Sequence, residues 1–221
     1  VVIVKGTKAE AEAIREECRQ VLEQRLKLTL NMDKTHVTHV NDGFTFLGHR
    51  LIRKRSRHGS MRVFTNIPRE KARNFVASLT ALLSANHGMS KIDMVEQLNR
   101  KLQGWSAFYR FVDHKAKTFA YIDSVVFWKL GHWLGRKYRS RIKPLMRHWY
   151  RLPAAGTRKT WMLFGKTDQG HFCGAELYAL VGHGKHQFRW RLPKGNPYAR
   201  EEARKTITSR FADVAMAMST A

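Results

Sequence analysis

The chain has 221 residues, 43% of them apolar, and carries 41 Lys+Arg against 17 Asp+Glu for a formal charge of +24. That length suits one or two domains with a real core, and so large a charge asks for a polyanion or an anionic surface to neutralise it. Apolar runs fall short of the roughly 18–20 residues that span a bilayer. There is no charged-then-apolar leader, and Cys18 and Cys173 are too few for a disulfide framework or a Cys-rich zinc site. A membrane protein and a secreted one are therefore not expected; a cytoplasmic nucleic-acid binder is.

The charge is unevenly placed. Residues 1–43 hold seven basic and seven acidic side chains, whereas residues 44–221 hold 34 and ten and so carry the whole excess. Val1-Val2-Ile3-Val4 reads as a buried strand ending at Lys5-Gly6, short of a partner and so incomplete. Thr7-Lys8-Ala9-Glu10 matches a capping box. The helix it opens carries Ile14, Cys18, Val21, Leu22 and Leu26 on one stripe, with Cys18 read as core packing. Leu28–Leu30 reads as a short strand. His36–Val40 and Phe44–Ile52 flank Asn41-Asp42-Gly43, a good hairpin turn because these residues accept positive φ. The expectation for this part is a small antiparallel sheet with one helix packed on it.

Arg53-Lys54-Arg55-Ser56-Arg57-His58-Gly59 puts four fixed positive charges in a seven-residue loop before the strand-like Met61-Arg62-Val63-Phe64. Such a loop can be merely solvated; with this net charge, contact with phosphate is the favoured reading. Pro68 fits the start of a helix with Ala72, Phe75, Val76, Leu79, Leu82 and Leu83 on one face. Asn86-His87-Gly88 breaks it, and Ser90 to Asp93 caps a second helix bearing Ile92, Val95, Leu98, Leu102, Trp105, Phe108 and Tyr109. A third, from about Ala116 to Tyr138, presents Phe119, Ile122, Val126, Leu130, Trp133 and Leu134. Together they make a three-helix bundle. Arg100, Lys101, Arg110, Lys129, Arg136, Lys137, Arg139, Arg141 and Lys143 occupy much of the remaining surface. Singly each is a solvated charge, but together they form a cationic face suited to RNA.

Beyond Arg151-Leu152-Pro153 the pattern changes to short apolar pieces. Trp161–Gly165 and Gln187–Leu192 look like strands, and Tyr198–Met218 like a helix. His171, Cys173, His183 and His186 fit no common metal-site spacing, so no metal is assigned. The fold class is thus α+β: a small antiparallel sheet with one helix, a mainly helical bundle and a short α/β extension.

Leu98-Asn99-Arg100-Lys101-Leu102-Gln103-Gly104-Trp105-Ser106-Ala107-Phe108-Tyr109-Arg110 resembles the maturase-specific motif of group II intron-encoded proteins. Leu30-Asn31-Met32-Asp33-Lys34-Thr35 is similar to the Lys-Thr motif of reverse-transcriptase palms, and Phe46-Leu47-Gly48 resembles the primer-grip hairpin that follows it. The resemblance implies three parts: a palm remnant (1–66), the maturase-specific thumb or domain X (67–150) and a basic C-terminal extension (151–221). It implies that Lys34 lies near the nucleotide triphosphate, although a surface residue in a turn is the plainer reading. It implies that Phe46, Leu47 and Gly48 support the primer end, which a buried hairpin strand would also satisfy. Trp105 and Tyr109 are more readily core anchors than base-stacking platforms. Gly104 costs about 1 kcal/mol in mid-helix relative to Ala, which a close helix or RNA approach would account for.

In the intact family enzyme, Mg²⁺ is held by carboxylates that include a Tyr-x-Asp-Asp turn, which would fall just before residue 1. This chain contains no Asp-Asp pair, and Asp33 and Asp42 are isolated. No cofactor and no polymerisation are therefore expected of it alone. Paired Cys motifs of an appended HNH nuclease are absent as well. The leading expectation is a fragment that binds structured group II intron RNA and assists splicing, with target DNA a further candidate partner. The alternatives are the C-terminal half of a split RNA-directed DNA polymerase, completed by a separately encoded N-terminal half, and a gene fragment without function.

Overall fold

A computed structural model describes residues 1–152 and 158–182. Its first helix, α1 (Lys8–Arg25), starts where the capping box places it: the Thr7 side chain accepts the Glu10 N–H at 3.4 Å, and the Glu10 carboxylate takes the Thr7 N–H at 2.6 Å. Those bonds hold the Glu10 pKa below its ordinary value. The apolar stripe that follows is only partly covered, however, with Ile14 and Leu22 half-buried and Val21 and Leu26 exposed. α1 buries none of its residues, and Cys18 is half-buried, so neither the packing of this helix on a sheet nor a core role for Cys18 is realised.

Two expected strands do not form. Residues 1–4 and 28–30 lie outside every ladder among the described residues, and Val1, Val2 and Ile3 are exposed; strand composition alone does not secure a pairing partner. The hairpin is also shifted. β1 (Phe44–Phe46) and β2 (His49–Arg55) pair antiparallel with Phe46 opposite His49, so the run Phe44–Ile52 folds on itself at Leu47-Gly48. Leu47 at φ 46° and Gly48 at φ 80° supply the two positive φ values that a two-residue I′ turn requires. Asn41-Asp42-Gly43 does turn, with the Asp42 N–H donating to His39 O at 3.0 Å, but it does not pair 36–40 with β1; one backbone bond, Arg53 N–H to Val40 O at 2.9 Å, joins 36–40 to β2. β3 (Met61–Asn66) completes this sheet in the order β1-β2-β3.

The core begins at Ile67. α2 (Arg69–Ala85) starts after Pro68 and buries Ala72, Leu79 and Leu83, with Phe75, Val76 and Leu82 packed beside them. α3 (Lys91–Phe108) is capped by Ser90, whose hydroxyl accepts the Asp93 N–H at 3.1 Å. It buries Ile92, Val95, Leu98 and Leu102, as the spacing predicts, and also Met94 and Ser106. α4 (Ala116–Lys137) buries every one of its six predicted apolar positions, none more than 3% exposed. A stacked Phe75–Trp105 pair (4.8 Å) and the Trp105–Phe119 contact (5.8 Å) join the three helices.

A short helix that the spacing did not announce, α5 (Ile142–Trp149), packs on α4 through Leu145. β4 (Tyr150–Arg151), β5 (Thr160–Lys166) and β6 (Phe172–Glu176) form a second antiparallel sheet in that order. β5 matches the strand expected at Trp161–Gly165, whereas the strand at Gln187–Leu192 and the helix at Tyr198–Met218 lie outside the described residues. The α+β class holds, with five helices and two three-stranded sheets among the described residues.

This second sheet completes the bundle's core. Trp161, Leu163 and Leu180 are 0% exposed, and Leu177 is 6% exposed. The Trp161 indole N–H donates to the Phe127 carbonyl at 3.0 Å, and its ring lies over Gly131, where a Cβ would stand 3.1 Å from Cζ2. Asn99 pairs with the chain on both sides of Leu177, donating to Glu176 O (2.7 Å) and accepting from Tyr178 N–H (2.8 Å). The Asp123 carboxylate accepts the Leu180 and Val181 N–H groups, each at 2.9 Å. Asp93 accepts the Asp168 N–H at 2.7 Å, and this bond together with that from Ser90 lowers its pKa.

Trp161→Ala should therefore lower the stability of the whole bundle by about 3–5 kcal/mol, a large-to-small core loss, read as the denaturant midpoint of helical circular dichroism. An unchanged midpoint would mean the second sheet is an appendage. Asp93 stabilises its joint above the pKa it has unfolded, and that contribution fades as pH falls through its depressed folded value. Protection of the Asp168 amide, relative to its intrinsic exchange rate, should thus fall as pH drops through Asp93's depressed range, and Asp93→Asn should flatten that dependence.

Candidate nucleic-acid interface

The tip of the first hairpin and the end of α3 meet. The Tyr109 hydroxyl donates to the Gly48 carbonyl at 3.2 Å, and the His49 ring lies 5.0 Å from Phe108 and 5.3 Å from Tyr109. Tyr109 is 3% exposed, and burial raises its pKa, keeping the phenol a donor. A second tie holds the far strand. The Asp113 carboxylate accepts the Thr65 N–H (2.7 Å) and hydroxyl (2.8 Å), while the Asp113 N–H donates to Thr65 Oγ1 (3.2 Å). Two motifs 61 residues apart in the chain, Phe46-Leu47-Gly48 and the end of the maturase-like run, thus form one corner.

That corner leaves apolar side chains in water. Leu47 is 76% exposed, Phe108 55%, Phe46 41% and Phe111 39%, with the Arg110 guanidinium 4.5 Å from the Phe111 ring centroid. Leu47 holds a left-handed backbone with a side chain that packs on nothing, a cost typical of sites kept for contact with something else. Lys34 is not brought into this corner by any bond or ring contact. It ends an exposed turn, Met32–Lys34, whose N–H is held by the Asn31 side chain at 3.0 Å.

Within the maturase-like run, Leu98 and Leu102 are 0% exposed and Trp105 is half-buried against Phe75. Gly104 faces outward with nothing within 4 Å of a built Cβ, so no intramolecular close approach accounts for it among the described residues. Asn99, quoted in the motif without a role, is the tie to Leu177. Its task is not legible from the motif because its partners are backbone groups 77 and 79 residues away.

The cations divide into free and engaged. Arg53, Lys54, Arg55 and Arg57 stand exposed at the end of β2 and the loop after it, and Arg55 Nε donates to Gly59 O at 3.0 Å. Arg100 has a loose partner in Glu96 (3.8 Å), whereas Lys101, Arg110, Lys129, Arg136, Arg139 and Arg141 are exposed and join no ion pair among the described residues. Lys137 is different: its ammonium donates to Met89 O at 2.7 Å, reaches the His87 and Gly88 carbonyls and lies over Trp133. It closes the α2–α3 loop. Lys91, partly buried 4.5 Å from the Trp149 ring centroid, has its pKa lowered by desolvation and by Lys137. Lys115 is 7% exposed and desolvated in the same direction.

Residues 124–167 hold eleven Lys/Arg and no Asp or Glu. Those cations sit on or beside α4, α5 and β5, elements fixed by the core. An acid-free stretch rich in cations and carried on fixed elements has the chemistry that suits phosphate.

Residues 72–149 match the family model of the Group II intron, maturase-specific domain. That segment, about a third of the chain, is thus similar to the maturase-specific domain of group II introns. Among curated proteins, Protein YkfC of Escherichia coli (strain K12) is 78% identical over 83 residues, which are 38% of this chain and 22% of that protein. The chain therefore matches about a fifth of that relative's length. The family match stops at the end of α5, although Trp161, Leu163, Leu177 and Leu180 fill the same core.

Two substitutions test the hairpin corner. Tyr109→Phe should cost about 0.5–1.5 kcal/mol and speed amide exchange in β1 and β2 while leaving α4 protected. Leu47→Asn, which accepts the left-handed backbone, should raise stability by roughly 0.5–1 kcal/mol in urea titration. A loss there would mean that Leu47 is packed rather than strained.

Proposed function

We propose that this chain binds structured group II intron RNA and assists its splicing. The observation that carries the reading is the acid-free stretch 124–167 laid on a rigid bundle whose 72–149 segment matches the maturase-specific domain. Folded RNA is recognised largely by shape and by contacts to phosphate and 2′-OH groups, and a broad, fixed Lys/Arg surface suits that task. The RNA itself supplies the splicing chemistry. The exposed corner of Phe46, Leu47, Phe108 and Phe111 offers rings and apolar surface beside Arg110, as would suit an unpaired strand end. In this reading residues 1–66 derive from a reverse-transcriptase palm.

The residues present do not fit the Mg²⁺ site of the intact family enzyme. Asp33 and Asp42 are exposed, and no group of three or more His, Cys, Asp or Glu side chains among the described residues is placed to hold a metal ion. No polymerisation step is derived from this chain. A second reading, completion of a polymerase by a separate N-terminal half, draws on the exposed end of the α1 stripe, where Val21 is 42% exposed and Leu26 58%. Primer extension with and without such a half distinguishes the two.

Filter binding of a folded intron transcript should weaken steeply with salt, with a log–log slope of about −4 to −5 if six phosphates are contacted. A flat profile between low and physiological ionic strength would remove the reading.

A further inference from the structure

α4 ends in a sharp reversal. The Ser140 N–H donates back to Gly135 O at 3.0 Å and the Arg139 N–H to Arg136 O at 3.4 Å, with Arg139 left-handed at φ 47°. A Cβ at position 135 would lie 3.1 Å from Ser140 O, so glycine there is what admits so tight a turn. The turn sets the start of α5 beside the end of α4, leaving an open concavity of about 740 Å³. Arg136, Arg141, Lys143 and Arg147 line it, all exposed and none in an ion pair among the described residues.

α5 is built against its own electrostatics. Its N-cap is Arg141, which makes no capping bond, and its first turn holds no acid but does hold Lys143. The positive end of the helix dipole therefore faces cations, with the Ile142 and Lys143 N–H groups given no side-chain acceptor. Lys143 and Arg147 are also like charges four residues apart, a repulsive spacing on a helix. An anion between the four side chains would relieve all three. The space exceeds one phosphate group, and four cations call for several negative charges. No Phe, Tyr or Trp lines the concavity; its one ring is the His132 imidazole, set among four fixed cations, so the lining favours phosphate over a stacked base.

We propose that the concavity between α4 and α5 is a cradle for closely spaced phosphates, supplied by a tight bend in the backbone of folded RNA. The RNA source rests on the function proposed above; the anion chemistry does not. Tripolyphosphate, used as the probe with ¹⁵N-labelled full chain, should shift the Ile142 and Lys143 amides saturably. Arg141→Ala with Arg147→Ala should weaken that effect by about tenfold or more without changing the melting curve. The same double variant should make the salt slope for folded transcript shallower by about two, as losing two phosphate contacts requires. Arg53→Ala with Arg55→Ala serves as the comparison and should leave the Ile142 and Lys143 response intact. Shifts at Ile142 and Lys143 no larger than those in the 53–57 loop would overturn the cradle while leaving RNA binding standing. A saturable shift with an unchanged RNA slope would overturn RNA as the source and favour a free polyphosphate. Failure of the wild-type chain to bind transcript would remove the proposed function, with the tripolyphosphate response still deciding the cradle.

Discussion

Everything in this molecule hangs on the apolar stripe of α4. Its positions from Phe119 to Leu134 are fully enclosed, and α2, α5 and the 180–182 turn all pack against that one helix. Burial of each large side chain contributes about 1.5–3 kcal/mol, and the stripe gathers six of them on one element. This matters more here than in an ordinary domain, because a net charge of +24 pushes the chain apart. The helix that anchors the core also displays Lys129 and Arg136 on its outer side, so the apolar face holds the cations in register. Shape on the outside is a consequence of enclosure on the inside.

The helices of the bundle were legible because two independent signals agreed. The period of apolar residues named the buried faces, and Pro68 and Ser90 marked the starts. The first sheet was harder to read. Asn41-Asp42-Gly43 has the chemistry of a hairpin turn, but the paired strands meet at Leu47-Gly48, where one residue contradicts its own backbone preference. No local rule predicts a strained leucine. The short runs at 1–4 and 28–30 have strand composition without strand structure, since pairing depends on an edge that composition does not describe. α5 was not legible because eight residues carrying Pro144 are too short a run to declare a helix, although its apolar and polar residues do segregate by face.

The site was legible as a total and illegible as a distribution. The sequence tells that cations outnumber acids; it does not tell that Lys137 is spent on three carbonyls or that Lys91 and Lys115 are drawn into desolvated positions. Such assignments depend on loops brought together by the bundle, as with Tyr109 and Gly48. Many of the charges that remain fall in the acid-free stretch, where attraction to any polyanion would be set by salt screening. Attraction of that kind is broad, so selectivity would rest on the fixed geometry of the helices that carry the charges.

The seat of Trp161 on Gly131 has a consequence for how such chains can be recombined. The match to the family model ends at residue 149, yet the plug that closes the bundle arrives a dozen residues later. A gene fusion spliced at the end of that match would inherit a helix with a glycine notch and no indole to fill it. Borders drawn by a family match and borders drawn by folding need not coincide, and grafts of this module have to carry the strands that follow it.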